Sequence, residues 1–214
     1  MMRASVTNQR PTIFVVDDDS AVRDALKLLL RSVGQSVETY GAGSEFLEAY
    51  SEDRPGCLVL DIRMPGMSGM ELQQQLNMRG AVVPVIFMTG HGDIPMAVEA
   101  MQHGAFDFLQ KPFRDQDLLD RIQRAIARDA ELRKSLGEHA RIRAHLESLT
   151  PREREVLDLM TRGLQNKVIG QELGVSPRTV EIHRARVMEK MNAGSVAELV
   201  RMMLDLKNVT PNGK

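Results

Sequence analysis

The stretch IFVVDDDSAV, Ile13 to Val22, sets three aspartates directly after an apolar run. Crowded like charges oppose one another, so the triplet calls for a purpose. The apolar run has the length of a buried strand. In the stretch that follows, AVRDALKLLLRSVG, Val22, Leu26, Leu29 and Val33 recur at helical spacing. The acids therefore fall at a strand-to-helix junction, the first unit of an alternating α/β pattern.

That pattern continues through the first 120 residues. Strands are predicted at Thr12–Val16, Ser36–Tyr40, Cys57–Leu60, Pro84–Met88 and Asp107–Gln110. The intervening segments AVRDALKLLLRSVG, SEFLEAYSE, GMELQQQLNMRG and DIPMAVEAMQHG read as helices, several ending at glycine. Strands alternating with helices imply βαβ units and a parallel sheet. Five repeats at this spacing predict a flavodoxin-like, doubly wound (βα)5 domain.

In such a sheet, ligands bind at the carboxyl ends of the strands. Asp17 and Asp18 follow the first predicted strand, Asp61 follows the third, Thr89 ends the fourth and Lys111 ends the fifth. All five converge on one edge. Clustered carboxylates suit a hard, oxygen-seeking cation such as Mg2+, and a lysine with a threonine suits an anionic oxygen species. The chemistry that fits is phosphoryl transfer to an aspartate, giving an acyl phosphate. Asp19 is expected to cap the first helix together with Ser20. Cys57 is expected in the core, and Met64, Met67, Met70, Met96 and Met101 are expected to pack.

From Arg114 onward the strand signals stop. The last helix of the α/β region is expected to run on into a helical linker, residues 126–146, between an acceptor domain at 11–125 and a second domain at 147–210. Thr150, Pro151 and Glu153 make a capping-box start, and four helices are predicted at 151–162, 166–173, 177–191 and 195–206. The segment NKVIGQELGVSPRTVEIHRA, Asn166 to Ala185, has a helix-turn-helix pattern. Gly170 lies where the helices approach and Gly174 at the turn. Ile169, Leu173, Val175 and Val180 form the shared core, and Ser176 caps the second helix. That helix carries Arg178, His183, Arg184, Arg186 and Lys190, a cationic surface suited to the major groove of DNA.

Charge follows the same division. The net is −7 over residues 1–120 and +3 over each of 121–150 and 151–214, within an overall −1. An acidic first half and a mildly basic second half suggest two tasks. No run approaches the roughly 18 apolar residues of a membrane span. The single cysteine and the absence of a signal-peptide core in MMRASVTNQRP lead us to expect a cytoplasmic protein with no membrane partner.

The acidic triplet, LDIRMPGMSG after the third strand, MTGHGD after the fourth and QKPF after the fifth resemble the motifs of receiver domains in two-component response regulators. The segment from Leu149 to Val200 resembles the LuxR-type helix-turn-helix output domain. The whole chain is similar to the NarL/FixJ family, most of all its FixJ branch.

The resemblance implies that Asp61 is the phospho-acceptor. Asp17, Asp18, Asp61 and the backbone carbonyl of Arg63 would bind Mg2+ or Mn2+, Asp17 through water. Thr89 and Lys111 would hold the phosphoryl group, Phe108 would act as the aromatic switch, and Lys111–Pro112 would be cis. The DNA-facing set would be Lys167, Arg178, Thr179, Glu181, Ile182, His183, Arg184, Arg186 and Lys190, with Ala185 beside it. The implied partners are a sensor histidine kinase, promoter DNA with two half-sites, a second copy of the chain after phosphorylation, and RNA polymerase. The protein would be no enzyme beyond assisting its own phosphorylation and dephosphorylation. Arg63 and His91 flank the path of the hydrolytic water and are expected to set the lifetime of the phosphorylated form.

Two other functions use similar parts. An aspartyl-phosphate phosphatase would carry its nucleophile in a DxD motif after the first strand, whereas the candidate here follows the third. A regulator with a vestigial receiver would not need the intact set Asp18, Asp61, Thr89 and Lys111.

Overall fold

The computed structural model describes residues 10–90 and 94–209. The chain divides into two compact units, the first ending at Arg133 and the second beginning at Lys134.

The first unit is built on a five-stranded parallel sheet in the order β2-β1-β3-β4-β5. Its strands are β1 (Thr12–Val16), β2 (Ser36–Tyr40), β3 (Gly56–Asp61), β4 (Val85–Thr89) and β5 (Asp107–Gln110). The helices are α1 (Ser20–Ser32), α2 (Gly43–Ala49), α3 (Gly69–Met78), α4 (Ile94–Gln102) and α5 (Asp115–Glu147).

Side chains alternate across the sheet. Phe14, Val16, Leu58, Leu60 and Phe87 face one core, with Phe46 of α2 and Leu72 and Leu76 of α3. Ile13, Val15, Val59, Ile86 and Met88 face the other, with Leu26 and Leu30 of α1 and Leu118 and Ile122 of α5. Both faces are covered, which is why the inner strands β1, β3 and β4 read as apolar runs. The order reverses between β1 and β3, so the carboxyl ends of those strands frame the crevice where such sheets bind ligands.

The second unit is helical: α6 (Pro151–Thr161), α7 (Asn166–Leu173), α8 (Pro177–Lys190) and α9 (Val196–Val209). Val156, Met160, Ile169, Val180, Val187, Met191 and Leu199 close its core. Thr150 and Glu153 form the expected capping box at α6.

The departures from expectation are local. β3 gains Gly56 and Asp61 at its ends. β4 starts one residue late because Pro84 has no N–H and only accepts, from Leu58 N at 2.9 Å. α9 starts one residue late and runs to Val209. In line with expectation, the last helix of the first unit runs on through residues 126–146 without a break, as the single helix α5. Met64 is buried and Met67, Met70 and Met96 pack against the core, but Met101 is exposed. Cys57 is fully buried, and burial pushes its thiol up, away from ionisation. His91 and the tail 210–214 lie outside the described residues. Among the described residues no helix is long and apolar enough to cross a membrane.

Candidate functional site

The strand ends bring Asp17, Asp61 and Lys111 together across 94 positions of sequence. Lys111 Nζ donates to Asp61 Oδ1 at 2.6 Å and to Asp17 Oδ2 at 2.8 Å. Asp17 is only 1% exposed. Its other oxygen accepts from Asp19 N at 2.9 Å, and its backbone carbonyl accepts from Arg23 Nη1 at 2.6 Å. Asp61 Oδ2 accepts from Arg63 N at 2.8 Å. The Lys111 N–H donates to the Thr89 carbonyl at 2.7 Å, joining the ends of β4 and β5. Thr89 is buried, and the Lys111–Pro112 bond is cis.

The electrostatics follow from this burial. Burial pushes the Asp61 carboxyl above its usual range, and the Lys111 ammonium only partly offsets it. The same burial opposes charge on Lys111, but its bonds to Asp17 and Asp61 outweigh it and hold the ammonium above its ordinary value.

Asp18 is exposed, and among the described residues its side chain makes no hydrogen bond or ion pair. Among the described residues no three acidic, histidine or cysteine groups are gathered as a metal cage, and the Lys111 ammonium bonds both inner carboxylates. The donor set still fits a hard divalent cation. It offers oxygen donors, and among the described residues the Asp18 carboxylate has no other partner. Buried Asp17 and Asp61 mark a divalent-cation site in character. Asp19 caps α1 as expected, accepting from Ala21 N at 2.8 Å. Phe108, on β5, is 38% exposed. Arg23, which holds the Asp17 carbonyl, carried no signal in the sequence beyond its place on α1.

In the second unit the turn between α7 and α8 is built on two glycines. A Cβ on Gly170 would lie 2.8 Å from the Val175 carbonyl oxygen, and Gly174 takes φ +66°. Ser176 caps α8, accepting from Thr179 N at 3.1 Å. Val180 and Val187 bury one face of α8, leaving Arg178, Glu181, Ile182, Ala185 and Arg186 exposed. Lys167 is exposed on α7, and Thr179, His183 and Arg184 are half-buried. Arg178 pairs with Glu181 at 3.1 Å. Ile182 is 46% exposed, an apolar side chain standing among charges.

Lys190 departs from its expected place in the DNA-facing set. Its ammonium donates to the buried Glu153 at 2.7 Å and to the Ser148 carbonyl at 3.3 Å. A cation spent on an internal carboxylate is not available to phosphate. Its sequence position, in the last turn of a cationic helix, gave no sign of this.

Comparison with known proteins matches both units. The response regulator receiver domain family matches residues 13–123. The bacterial regulatory protein luxR family matches residues 147–203. The chain is 48% identical to the transcriptional regulatory protein FixJ of Azorhizobium caulinodans, over 93% of this chain and 94% of that one. It is 42% identical to the response regulator TodT of Pseudomonas putida, over 95% and 89%. Among solved structures, the response regulator StyR superposes with a TM-score of 0.85 at 49% identity, covering 92% of this chain and 99% of that one. The sheet, the strand-end site and the helix-turn-helix thus fall in the matched regions, and the chain belongs to the two-component response regulators of the NarL/FixJ type, a receiver joined to a LuxR-type DNA-binding domain.

Proposed function

We propose that Asp61 is the phospho-acceptor of this regulator and that its phosphorylation drives the chain to pair on DNA. One observation carries the proposal most: the Lys111 ammonium bonded to both Asp61 and Asp17 at the carboxyl edge of the sheet. An Asp61 oxygen would attack the phosphorus of a phosphohistidine on a sensor kinase. The O–P bond forms as the P–N bond breaks, and the departing imidazole keeps the electron pair and takes a proton from water. Lys111 would move its hydrogen bond from the Asp61 carboxylate to a phosphoryl oxygen, and Thr89 would offer its hydroxyl. Mg2+ or Mn2+, held by Asp17, Asp18, Asp61 and the Arg63 carbonyl, would neutralise charge on the transferring group.

Withdrawal of Phe108 towards Thr89 would reshape the face of α4, β5 and α5, where Val98 and Met101 stand exposed. That face would then dimerise. Two α8 helices would read two half-sites of promoter DNA, with Lys167, Arg178, Arg184 and Arg186 on phosphates or guanine edges and Ile182 against thymine methyls. RNA polymerase is the expected downstream partner. The compartment is the cytoplasm, and the only chemistry is the protein's own phosphorylation and its reversal. Asp61→Asn tests the scheme: it should abolish acetyl-phosphate-dependent dimerisation, and a dimer formed by that variant on treatment would overturn it.

A further inference from the structure

Asp129, on α5, is as buried as Asp17 but serves the opposite end of the sheet. Its Oδ2 accepts from the N–H of Gly56, the first residue of β3, at 2.9 Å. Both its oxygens accept from Arg133 Nε, at 2.9 and 2.8 Å. The rest of the guanidinium is also engaged: Nη1 donates to the Glu52 carbonyl and Nη2 to the Arg54 carbonyl, each at 2.7 Å. That loop is bound in turn to β1, where Thr12 N donates to Pro55 O at 2.9 Å. The Arg54 side chain reaches Glu38 of β2 and lies 4.8 Å over the Phe14 ring.

An exposed i,i+4 ion pair contributes only about 0.3–0.5 kcal/mol. This pair differs in kind. Its carboxylate is buried, and two carbonyls of the α2–β3 loop and the N–H of Gly56 in β3 complete the pair's hydrogen bonding, so removing either partner strands a buried polar group.

Beyond the pair the helix changes character. Lys134, Ser135, Leu136, Gly137 and Glu138 are all exposed, more than a full helical turn with no side packed. Gly137 weakens this turn, and a Cβ there would meet nothing within 4 Å. Burial resumes at His139 and at Ile142, which belongs to the core of the second unit.

We propose that Asp129 and Arg133 are positioning residues that hold α5 as part of the receiver's rigid body through residue 133. The bare turn 134–138, which contains Gly137, is then the joint through which the receiver's state reaches the DNA-binding unit. The signalling part rests on the phosphorylation scheme above; the mechanical part does not.

The test uses the full-length protein as wild type, Asp129→Asn, Arg133→Gln and Gly137→Ala. Amide hydrogen exchange without phosphodonor reads the mechanics. In the first two variants, amides of 126–133 and Gly56 should exchange about tenfold faster or more. In Gly137→Ala, amides of 134–141 should exchange about fivefold slower, the equivalent of about 1 kcal/mol. DNA binding with and without acetyl phosphate reads the signal. Asp129→Asn and Arg133→Gln should incorporate phosphate like wild type yet lose severalfold in phosphate-stimulated binding, and Gly137→Ala should also lower the stimulation. Unchanged exchange in the clamp variants overturns the clamp, and loosened exchange with full stimulation overturns its role in signalling. If the clamp variants do not fold, wild-type exchange and stimulation in Gly137→Ala overturn the joint. Absence of stimulation in the wild type sinks the phosphorylation scheme instead and leaves the exchange result to decide the clamp.

Discussion

Lys111 Nζ lies 2.6 Å from Asp61 Oδ1, a contact between residues 50 positions apart that closes the carboxyl edge of the sheet. The same ammonium holds Asp17, so one cation balances two largely buried carboxylates. Lys111→Met should therefore lower stability at neutral pH by about 1–3 kcal/mol, because both carboxylates lose their partner. A divalent cation would take over that balance. Millimolar Mg2+ should restore part of the loss, and more of it than it adds to wild type. Urea denaturation with and without Mg2+ checks this, and an unchanged midpoint in the variant would contradict it.

The raised Asp61 carboxyl has a definite sign in pH dependence. Its folded value lies above the ordinary 3.8 because burial disfavours the charge. Such a group contributes stability at low pH that is lost as pH rises through the folded value. Asp61→Asn lacks this loss. Its melting temperature relative to wild type should be more favourable at about pH 7 than at about pH 4. A difference that shrinks over the same interval would show that the site favours the ionised form instead.

Asp18 separates metal binding from folding. Its side chain is exposed and, among the described residues, makes no hydrogen bond or ion pair. Asp18→Ala should change stability by less than about 0.5 kcal/mol, while weakening Mg2+ binding about tenfold or more and slowing phosphorylation by acetyl phosphate. Calorimetric titration with Mg2+ and phosphate incorporation measure the two effects. Wild-type Mg2+ affinity in the variant would remove Asp18 from the site.

The sequence discloses what depends on local period and on the ends of elements. The apolar run at Thr12–Val16 falls on the observed β1 because an inner parallel strand is buried on both faces. The edge that carries Asp17, Asp61 and Lys111 follows from strand order alone. Side-chain partners chosen across space leave no such trace. The i,i+4 spacing of Asp129 and Arg133 gives no sign that the fold buries the aspartate against β3. Lys190 reads as one more cation on a DNA helix. The exposed Asp18 shows the converse: the motif marks the residue, but no described residue partners its carboxylate.

Lys190 supplies a prediction that tells an internal cation from a DNA-facing one. Its partner Glu153 is 3% exposed and also closes the α6 capping box, accepting from Thr150 N at 2.9 Å. The Lys190 ammonium, with the Thr150 amide, holds the Glu153 carboxyl down at about 2, against an ordinary 4.5. A depressed carboxyl contributes stability above its unfolded value that is lost as pH falls towards the folded one. The second unit should therefore lose stability between about pH 4.5 and 2. In Lys190→Met this acid loss should be smaller, because the variant has already lost about 1 kcal/mol at neutral pH, a figure reduced by the lysine's partial exposure. DNA binding should respond in the opposite pattern. Arg186→Ala should flatten the dependence of log affinity on log salt by about one unit, as expected for a lost phosphate contact. Lys190→Met should leave that slope unchanged at a temperature where the variant is fully folded. Thermal melts across pH and DNA binding across salt supply both measurements. A salt slope reduced by about one unit in Lys190→Met, with no stability change, would return Lys190 to the DNA-facing set.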